Sequence, residues 1–179
     1  MFSLQNLFRR LAPSLLFASC VAGYAAEAPA KFKVGDFMFT RPGKWEWVEV
    51  TSAMRKAQLK VPDEKGQGAA EVIFFSGNMG GVQANVDRWF GQFQEPREKL
   101  NAKTEEVTIG KHKVTYASAQ GTYQSGMPGG PRTAMKDHAL LGAIITSPQG
   151  DVYTRMTGPS ELVKRSTADF KKMVEEALK

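Results

Sequence analysis

The chain is poor in side chains that bind metals or form disulfides, with one cysteine, Cys20, and two histidines, His112 and His138, among 179 residues. Structural zinc sites and disulfide scaffolds need several such residues, so the composition argues against both. The chain also lacks the Gly-x-Ser-x-Gly elbow of α/β hydrolases and the Ser-x-x-Lys motif of penicillin-binding proteins. We therefore predict no metal site, no cofactor and no catalytic residues, and we expect that the protein is not an enzyme.

Neither sign of charge dominates the sequence. The 24 Lys and Arg residues against 18 Asp and Glu residues give a net charge of +6 at pH 7. This excess is too small and too dispersed to form the basic surface that nucleic-acid binding requires. With 42% hydrophobic and 23% charged residues, the composition is that of a globular protein, and the length fits one domain.

The N-terminus has the three parts of a secretory signal. Arg9 and Arg10 precede an apolar run over 11–22, and the small residues that cleavage requires follow it. The run is shorter than the roughly 20 residues that a membrane-spanning helix needs, and Pro13 interrupts it. We predict a signal peptide over 1–26, a leader over 27–35 and a single domain over 36–179. The mature protein is then periplasmic or secreted, with no membrane span.

Two other treatments of the N-terminus stay open. A retained membrane anchor is one alternative to cleavage. The other is lipidation, because Phe17-Ala18-Ser19-Cys20 is similar to a bacterial lipobox, although Phe17 stands where such motifs usually have leucine. Lipidated at Cys20, the protein would be a lipid-anchored component of an envelope assembly.

The hydrophobic pattern predicts a mostly antiparallel sheet. Short strand-like segments joined by Gly- and Pro-containing turns favour antiparallel neighbours. The continuous apolar runs over 72–75 and 139–146 indicate strands that are covered on both faces. Apolar residues at helical spacing predict one helix over 82–93, and a second follows Pro159. The predicted fold class is α+β, with a mostly antiparallel sheet of about seven strands flanked by helices on both faces in an α/β/α sandwich.

A glycine-rich segment between a strand and the first helix is the first candidate site. Free backbone N–H groups at such a turn point towards an anion, and the helix dipole assists. A polar stripe on the helix follows it. The candidate ligand-binding residues are Gly77, Asn78, Gly80, Gly81, Asn85, Arg88 and Gln92. The alternative interpretation is a tight turn that needs glycine's positive φ, with polar side chains that satisfy one another.

A second glycine- and proline-rich segment over Gln124–Asp137 reads as a long loop. Loops longer than about 12 residues inside compact domains are often functional, so this one is a second candidate surface. His138 follows it directly. A hydrolase-type enzyme would need an Asp or Glu to meet His138 in one pocket, and this is the alternative to a non-catalytic protein.

The residues around the first helix follow a pattern, G-x-x-G-G-x-x-x-N-x-x-R-W-x-x-Q-F, which begins at Gly77 and ends at Phe93. The pattern resembles the central signature of a family of uncharacterised exported bacterial proteins, and the resemblance extends from about Phe37 to the end of the chain. The order of strands and helices is also similar to the PsbP-like fold, which DcrB-like bacterial lipoproteins share. The resemblance implies an antiparallel sheet flanked by helices and an accessory or binding role, and it assigns no catalytic residue.

Together these observations predict an exported, non-catalytic binding or accessory domain of the bacterial cell envelope. Its expected partner is a small polar or anionic ligand, or another envelope protein, and we expect a monomer. The Gly77–Gly81 turn, Arg88 and the Gln124–Asp137 segment are predicted to present the binding surface.

Overall fold

The computed structural model describes residues 28–66, 68–126 and 130–179. The predicted signal peptide over 1–26, with Cys20 in it, lies outside the described residues. The described part of the chain forms a seven-stranded sheet, a separate two-stranded sheet and two α-helices. The predicted α+β class and the sheet of about seven antiparallel strands are confirmed.

Along the described part of the chain, five strands precede the first α-helix and four more strands precede the second. In order, the elements are β1 (Lys31–Val34), β2 (Phe37–Thr40), β3 (Glu46–Trp47), β4 (Ala57–Pro62), β5 (Ala69–Ser76), α1 (Gly81–Phe90), β6 (Lys103–Ile109), β7 (His112–Ser125), β8 (Thr133–Ile145), β9 (Val152–Pro159) and α2 (Ser160–Glu176). The large sheet has the strand order β3-β4-β5-β9-β8-β7-β6, and β1 pairs with β2. Every pair of neighbours is antiparallel.

The large sheet carries a hydrophobic cluster on each face. On β8, Leu141 and Ile145 belong to the cluster that includes α2 and the β1–β2 hairpin, whereas Leu140 and Ile144 belong to the cluster that includes α1. Successive residues of a strand point to opposite faces, so the two clusters cover opposite sides of the sheet. We call these sides the α2 face and the α1 face. This double covering explains the continuous apolar runs in the central strands.

A glycine in β8 allows α1 to lie close to the sheet. A Cβ atom on Gly142 would be 2.1 Å from Trp89 Cζ3, far inside van der Waals contact. Trp89 projects from α1 and is buried. Gly142 pairs with Arg155 of β9, so the contact between α1 and the sheet lies beside Arg155.

The structure differs from the predicted elements in two places. The predicted leader over 27–35 contains β1, whose buried Phe32 and Val34 belong to the α2-face cluster. The prediction of a long loop over Gln124–Asp137 is wrong, because β7 and β8 pair as far as Ser125 and Thr133 and only residues 126–132 connect them. Of these connecting residues, 127–129 lie outside the described residues. The outer half of β8 is exposed throughout, and the outer half of β7 is half-buried and mixes glycine and polar residues with one tyrosine. Neither segment has the alternating apolar pattern that would reveal a strand.

Candidate functional site

The predicted glycine-rich site is occupied by its own polar groups. Asn85 is 2% exposed, and its Nδ2 donates to the backbone oxygens of Met79 at 3.0 Å and Gly81 at 2.6 Å. Its Oδ1 accepts a hydrogen bond from Arg88 Nη1 at 2.9 Å. The side chains predicted to receive a ligand therefore join this turn to α1.

The glycines of the same turn have the conformations that only glycine adopts easily. Gly80, which precedes α1, has φ 92°, and Gly77 has φ 119°. Asn78 Oδ1 accepts from the backbone N–H of Gly80 at 3.3 Å. A ligand at Gly77–Gly81 stays a prediction, and these contacts favour the alternative of a tight turn.

The two glycine-rich segments lie at opposite ends of the large sheet. Ser76, at the end of β5, pairs with Val152 at the start of β9, whereas His138 pairs with Pro159 at the other end of β9. The paired residues Ser125 and Thr133 of β7 and β8 lie beyond that second end. A single small ligand cannot contact both segments, whereas a surface that presents both segments to a partner protein stays a prediction.

Gln92 is separated from the other predicted residues and lies in a different environment. Its Oε1 accepts hydrogen bonds from Tyr123 Oη at 2.8 Å and from Arg155 Nη1. The backbone N–H of Gln124 donates to the Gln92 oxygen and that of Gln94 donates to the Thr122 oxygen, so the segment after α1 is fixed against the edge of β7. Gln92 thus connects α1 to a cleft on the α1 face of the sheet.

This cleft, which we call the Arg155 cleft, has a volume of about 420 Å³. Small-molecule sites in proteins have volumes of roughly 300–1,000 Å³, so the cleft can hold a small ligand. Strands β5, β7, β8 and β9 supply most of its walls. Its polar and charged lining includes Arg55, Glu71, Tyr123, His138, Arg155 and Thr157.

The charges of the cleft are unevenly paired. Arg55 Nη1 lies 2.8 Å from Glu71 Oε1, and Gln58 Nε2 donates to the same oxygen at 2.9 Å. Arg155 forms no ion pair with any described carboxylate, and its Nε is buried with no hydrogen-bond partner in the described part of the chain. Burial lowers the pKa of the Arg155 guanidinium, and Tyr123 and Glu71 oppose this effect. An arginine still remains protonated at neutral pH, so the cleft contains one uncompensated positive charge.

Burial of the Arg155 guanidinium without a carboxylate partner among the described residues lowers the stability of the fold, which indicates that its position serves function. A charged group removed from water without a partner costs free energy, so most buried arginines have carboxylate partners. Arg155 is absent from the residues predicted above, although the sequence contains a clue to it. Arg155 is the only charged residue in β9, whose other members are largely buried. A charge in the middle of a strand that is covered on both faces must lie in a polar pocket or be paired.

The ionisable residues of the cleft also bear on the enzyme alternative. Glu71 and His138 line the same cleft, as that alternative requires. However, the Glu71 carboxylate bonds to Arg55 and Gln58, and His138 Nδ1 lies 2.9 Å from the backbone oxygen of Lys136. No hydrogen bond joins His138 to a carboxylate among the described residues, so a general base with an orienting acid is not assembled here.

A larger groove of about 950 Å³ lies on the α2 face, between α2 and strands β6 and β7. Two of its charges are paired, since Lys171 Nζ lies 3.3 Å from Glu105 Oε2 and 4.6 Å from the centre of the Tyr116 ring. Burial, with smaller contributions from Glu175 and Glu105, raises the pKa of Tyr116 to about 12. The groove is larger than the Arg155 cleft, but its other two lysines, Lys103 and Lys164, are exposed to solvent.

Comparisons with known proteins identify no function for this chain. No protein-family model matches the chain, and no curated protein sequence matches it either. Among solved structures, a protein of unknown function from Pseudomonas aeruginosa is similar with a TM-score of 0.45 and 13% identity, over 81% of this chain and 92% of that one. Cyanobacterial PsbP (CyanoP) from Synechocystis is similar with a TM-score of 0.48 and 9% identity, over 86% of this chain and 95% of that one. Similarity of this degree identifies no ligand and no activity.

Among the described residues, neither helix is both long and apolar enough to cross a membrane. Nor does the described part of the chain bring together three or more His, Cys, Asp or Glu side chains in a group that could hold a metal ion.

Proposed function

We propose that this protein is a non-catalytic binding domain of the bacterial cell envelope that holds a small organic anion in the Arg155 cleft. The observation that carries the proposal is the guanidinium of Arg155, which lines an open cleft and has no carboxylate partner among the residues that the structure describes. Guanidinium groups bind planar carboxylates through two parallel hydrogen bonds, and such charge-assisted bonds are among the strongest in proteins.

The walls of the cleft suit such a ligand. Ser125 and Thr157 line the cleft with hydroxyl groups that can donate to an oxyanion. Gln92 holds Arg155 Nη1 from one side and so limits the orientations of the guanidinium. Export through the predicted signal peptide would place the domain in the envelope, where dissolved organic acids and acidic groups of other proteins are both accessible.

Ligand binding can be measured by the thermal stability of the purified protein. A ligand at about 100 times its Kd adds about 2.7 kcal/mol to the free energy of unfolding. For a domain of this size, the melting temperature then rises by roughly 5–10 °C. We suggest a panel of acetate, benzoate, succinate, phosphate and sulfate at constant ionic strength, and we expect at least one carboxylate to stabilise the wild type.

Two variants separate the cleft from non-specific charge. Arg155→Gln should abolish the stabilisation, whereas Arg165→Gln removes a cation from α2, on the other face of the sheet, and should leave it unchanged. If Arg155→Gln is poorly folded, Arg155→Lys keeps the charge and loses the planar fork, so it should weaken carboxylate binding at least tenfold. Equal ligand-induced stabilisation of the wild type and of a folded Arg155 variant would contradict the proposal.

The second candidate function is hydrolysis, because Glu71, Ser125 and His138 line one cleft. Turnover of a chromogenic ester by the wild type, lost in His138→Gln and retained in His112→Gln, would favour it. The hydrogen bonds that occupy Glu71 and His138 elsewhere make binding the better-supported function.

A further inference from the structure

We propose that Glu71 restricts the Arg155 cleft to ligands with a single negative charge, and that its ligand is a small monocarboxylate. This inference rests on the proposed function, since it concerns the ligand class of the same cleft. The observations that carry it are the positions of two arginines and one glutamate on the cleft wall and the way in which they pair.

First, the two arginines of the cleft differ in their pairing with Glu71. Arg55 and Arg155 both line the cleft, and two guanidinium groups could together bind a dianion. Glu71 prevents this, because its Oε1 is bound by Arg55 Nη1 at 2.8 Å and by Gln58 Nε2 at 2.9 Å. Of the two cations, only Arg155 remains available to a ligand.

The second step concerns distance along the sheet. Glu71 pairs with Thr157 and Ile73 pairs with Arg155, so Glu71 and Arg155 are diagonal neighbours on adjacent strands. Diagonal neighbours on one face of a sheet lie roughly 7–8 Å apart, which is within a Debye length at physiological salt. A carboxylate bound to Arg155 gains the attraction of the guanidinium in contact with it, which outweighs repulsion from the more distant Glu71. A second carboxylate on the same ligand has no such partner, because Arg55 is bound to Glu71, so it would be repelled where it approaches Glu71.

The third step concerns the body of the ligand. Met135 and the ring of Tyr123 line the same cleft and offer apolar contact next to the arginine. A ligand with one carboxylate and a compact apolar or aromatic body fits this combination of charge and surface. Benzoate is such a probe, and isophthalate has the same ring with a second carboxylate, so the two differ mainly in charge.

The test compares the affinities of benzoate and isophthalate by calorimetry in the wild type and in Glu71→Gln. This substitution keeps the shape of the side chain and removes its charge. We expect the wild type to prefer benzoate, and we expect Glu71→Gln to shift the affinity ratio towards isophthalate by about tenfold or more. Glu64→Gln, which removes a glutamate paired with Lys44 at the surface, should leave the ratio unchanged.

A second variant keeps the inference testable if Glu71→Gln is unstable. Arg55→Met removes the cation that neutralises Glu71, so it should shift the ratio further towards benzoate. An unchanged ratio in both variants, with benzoate still bound by the wild type, would overturn the role of Glu71 and leave the proposed function standing. If the wild type binds neither probe nor any anion of the panel, the proposed function itself fails, and the inference fails with it.

Discussion

The close packing of α1 against Gly142 can be tested by adding a single methyl group at that position. In Gly142→Ala the new Cβ would lie 2.1, 2.6 and 2.8 Å from three carbon atoms of the Trp89 ring. Ordinary contact begins near 3.4 Å, so the ring must move by more than 1 Å. Trp89 is 6% exposed and belongs to the α1-face cluster, so it has little free space in which to move. Overpacking of this kind costs about 1–3 kcal/mol.

The expected loss is measured by urea and thermal unfolding, followed by circular dichroism. A cost of about 1–3 kcal/mol lowers the melting temperature by roughly 2–12 °C for a domain of this size. Gly43→Ala is the matched control, because a Cβ at Gly43 meets no atom within 4 Å. Both substitutions reduce the entropy of the unfolded chain by a similar amount, so the difference between them isolates the contact with Trp89.

The same variant should also weaken the Arg155 cleft. Because α1 leads directly to Gln92, which binds Arg155 and Tyr123, a displaced α1 should lower the affinity for carboxylates. If Gly142→Ala were as stable as Gly43→Ala, the close contact between Trp89 and β8 would be refuted, and with it our account of how α1 is positioned.

Three further predictions concern other polar groups. Asn85→Ala should lower the free energy of unfolding, measured with denaturant, by about 1–3 kcal/mol, because two backbone oxygens lose their donor. It should leave carboxylate binding unchanged. A selective loss of binding would instead support a site at the glycine-rich turn. Tyr116→Phe should not reduce stability at neutral pH, because the Tyr116 hydroxyl has no partner among the described residues, whereas Tyr123→Phe should reduce it by about 0.5–1.5 kcal/mol. The pKa of Tyr116 is raised to about 12, so the wild type should lose more stability than Tyr116→Phe between pH 10 and 12, and equal losses would contradict this. Hydrogen bonds from Thr122 lower the pKa of the Glu95 carboxyl, so their stabilisation is present above pH 4.5 and is lost as the pH falls through the lowered value; Glu95→Gln should flatten this acid limb in a pH series of unfolding curves.

The sequence predicts the architecture well wherever a strand or helix has an apolar pattern. Residues 72–74 and 140–145 are buried and central, as their continuous apolar runs indicate. The outer half of the β7–β8 hairpin has no such pattern, because it extends past the end of β9 and its β8 strand is exposed. Backbone hydrogen bonds pair its two strands. Glycine, serine and threonine can form such bonds without leaving a distinctive pattern in the sequence.

The candidate site could be predicted only in part, since its residues are distant along the chain. Of the residues predicted around the glycine-rich turn, Gln92 is the one that bonds to residues of the cleft, because the segment after α1 bonds to β7. His138, predicted for the enzyme alternative, lines the cleft itself. Arg55, Glu71, Tyr123 and Arg155 meet through strand order, with β9 inserted between β5 and β8. Nothing in the local sequence specifies that insertion, although a lone arginine in an otherwise buried strand indicates that a polar pocket exists.

The most direct test of the account is a two-dimensional NMR titration of the protein with benzoate. We predict that the largest shift changes occur at Arg155, Tyr123 and His138, including the Arg155 side-chain Nε–H signal, with little change over 77–81. Shift changes centred on Gly77–Gly81, or changes that persist undiminished in Arg155→Gln, would contradict the assignment of the anion site to the Arg155 cleft.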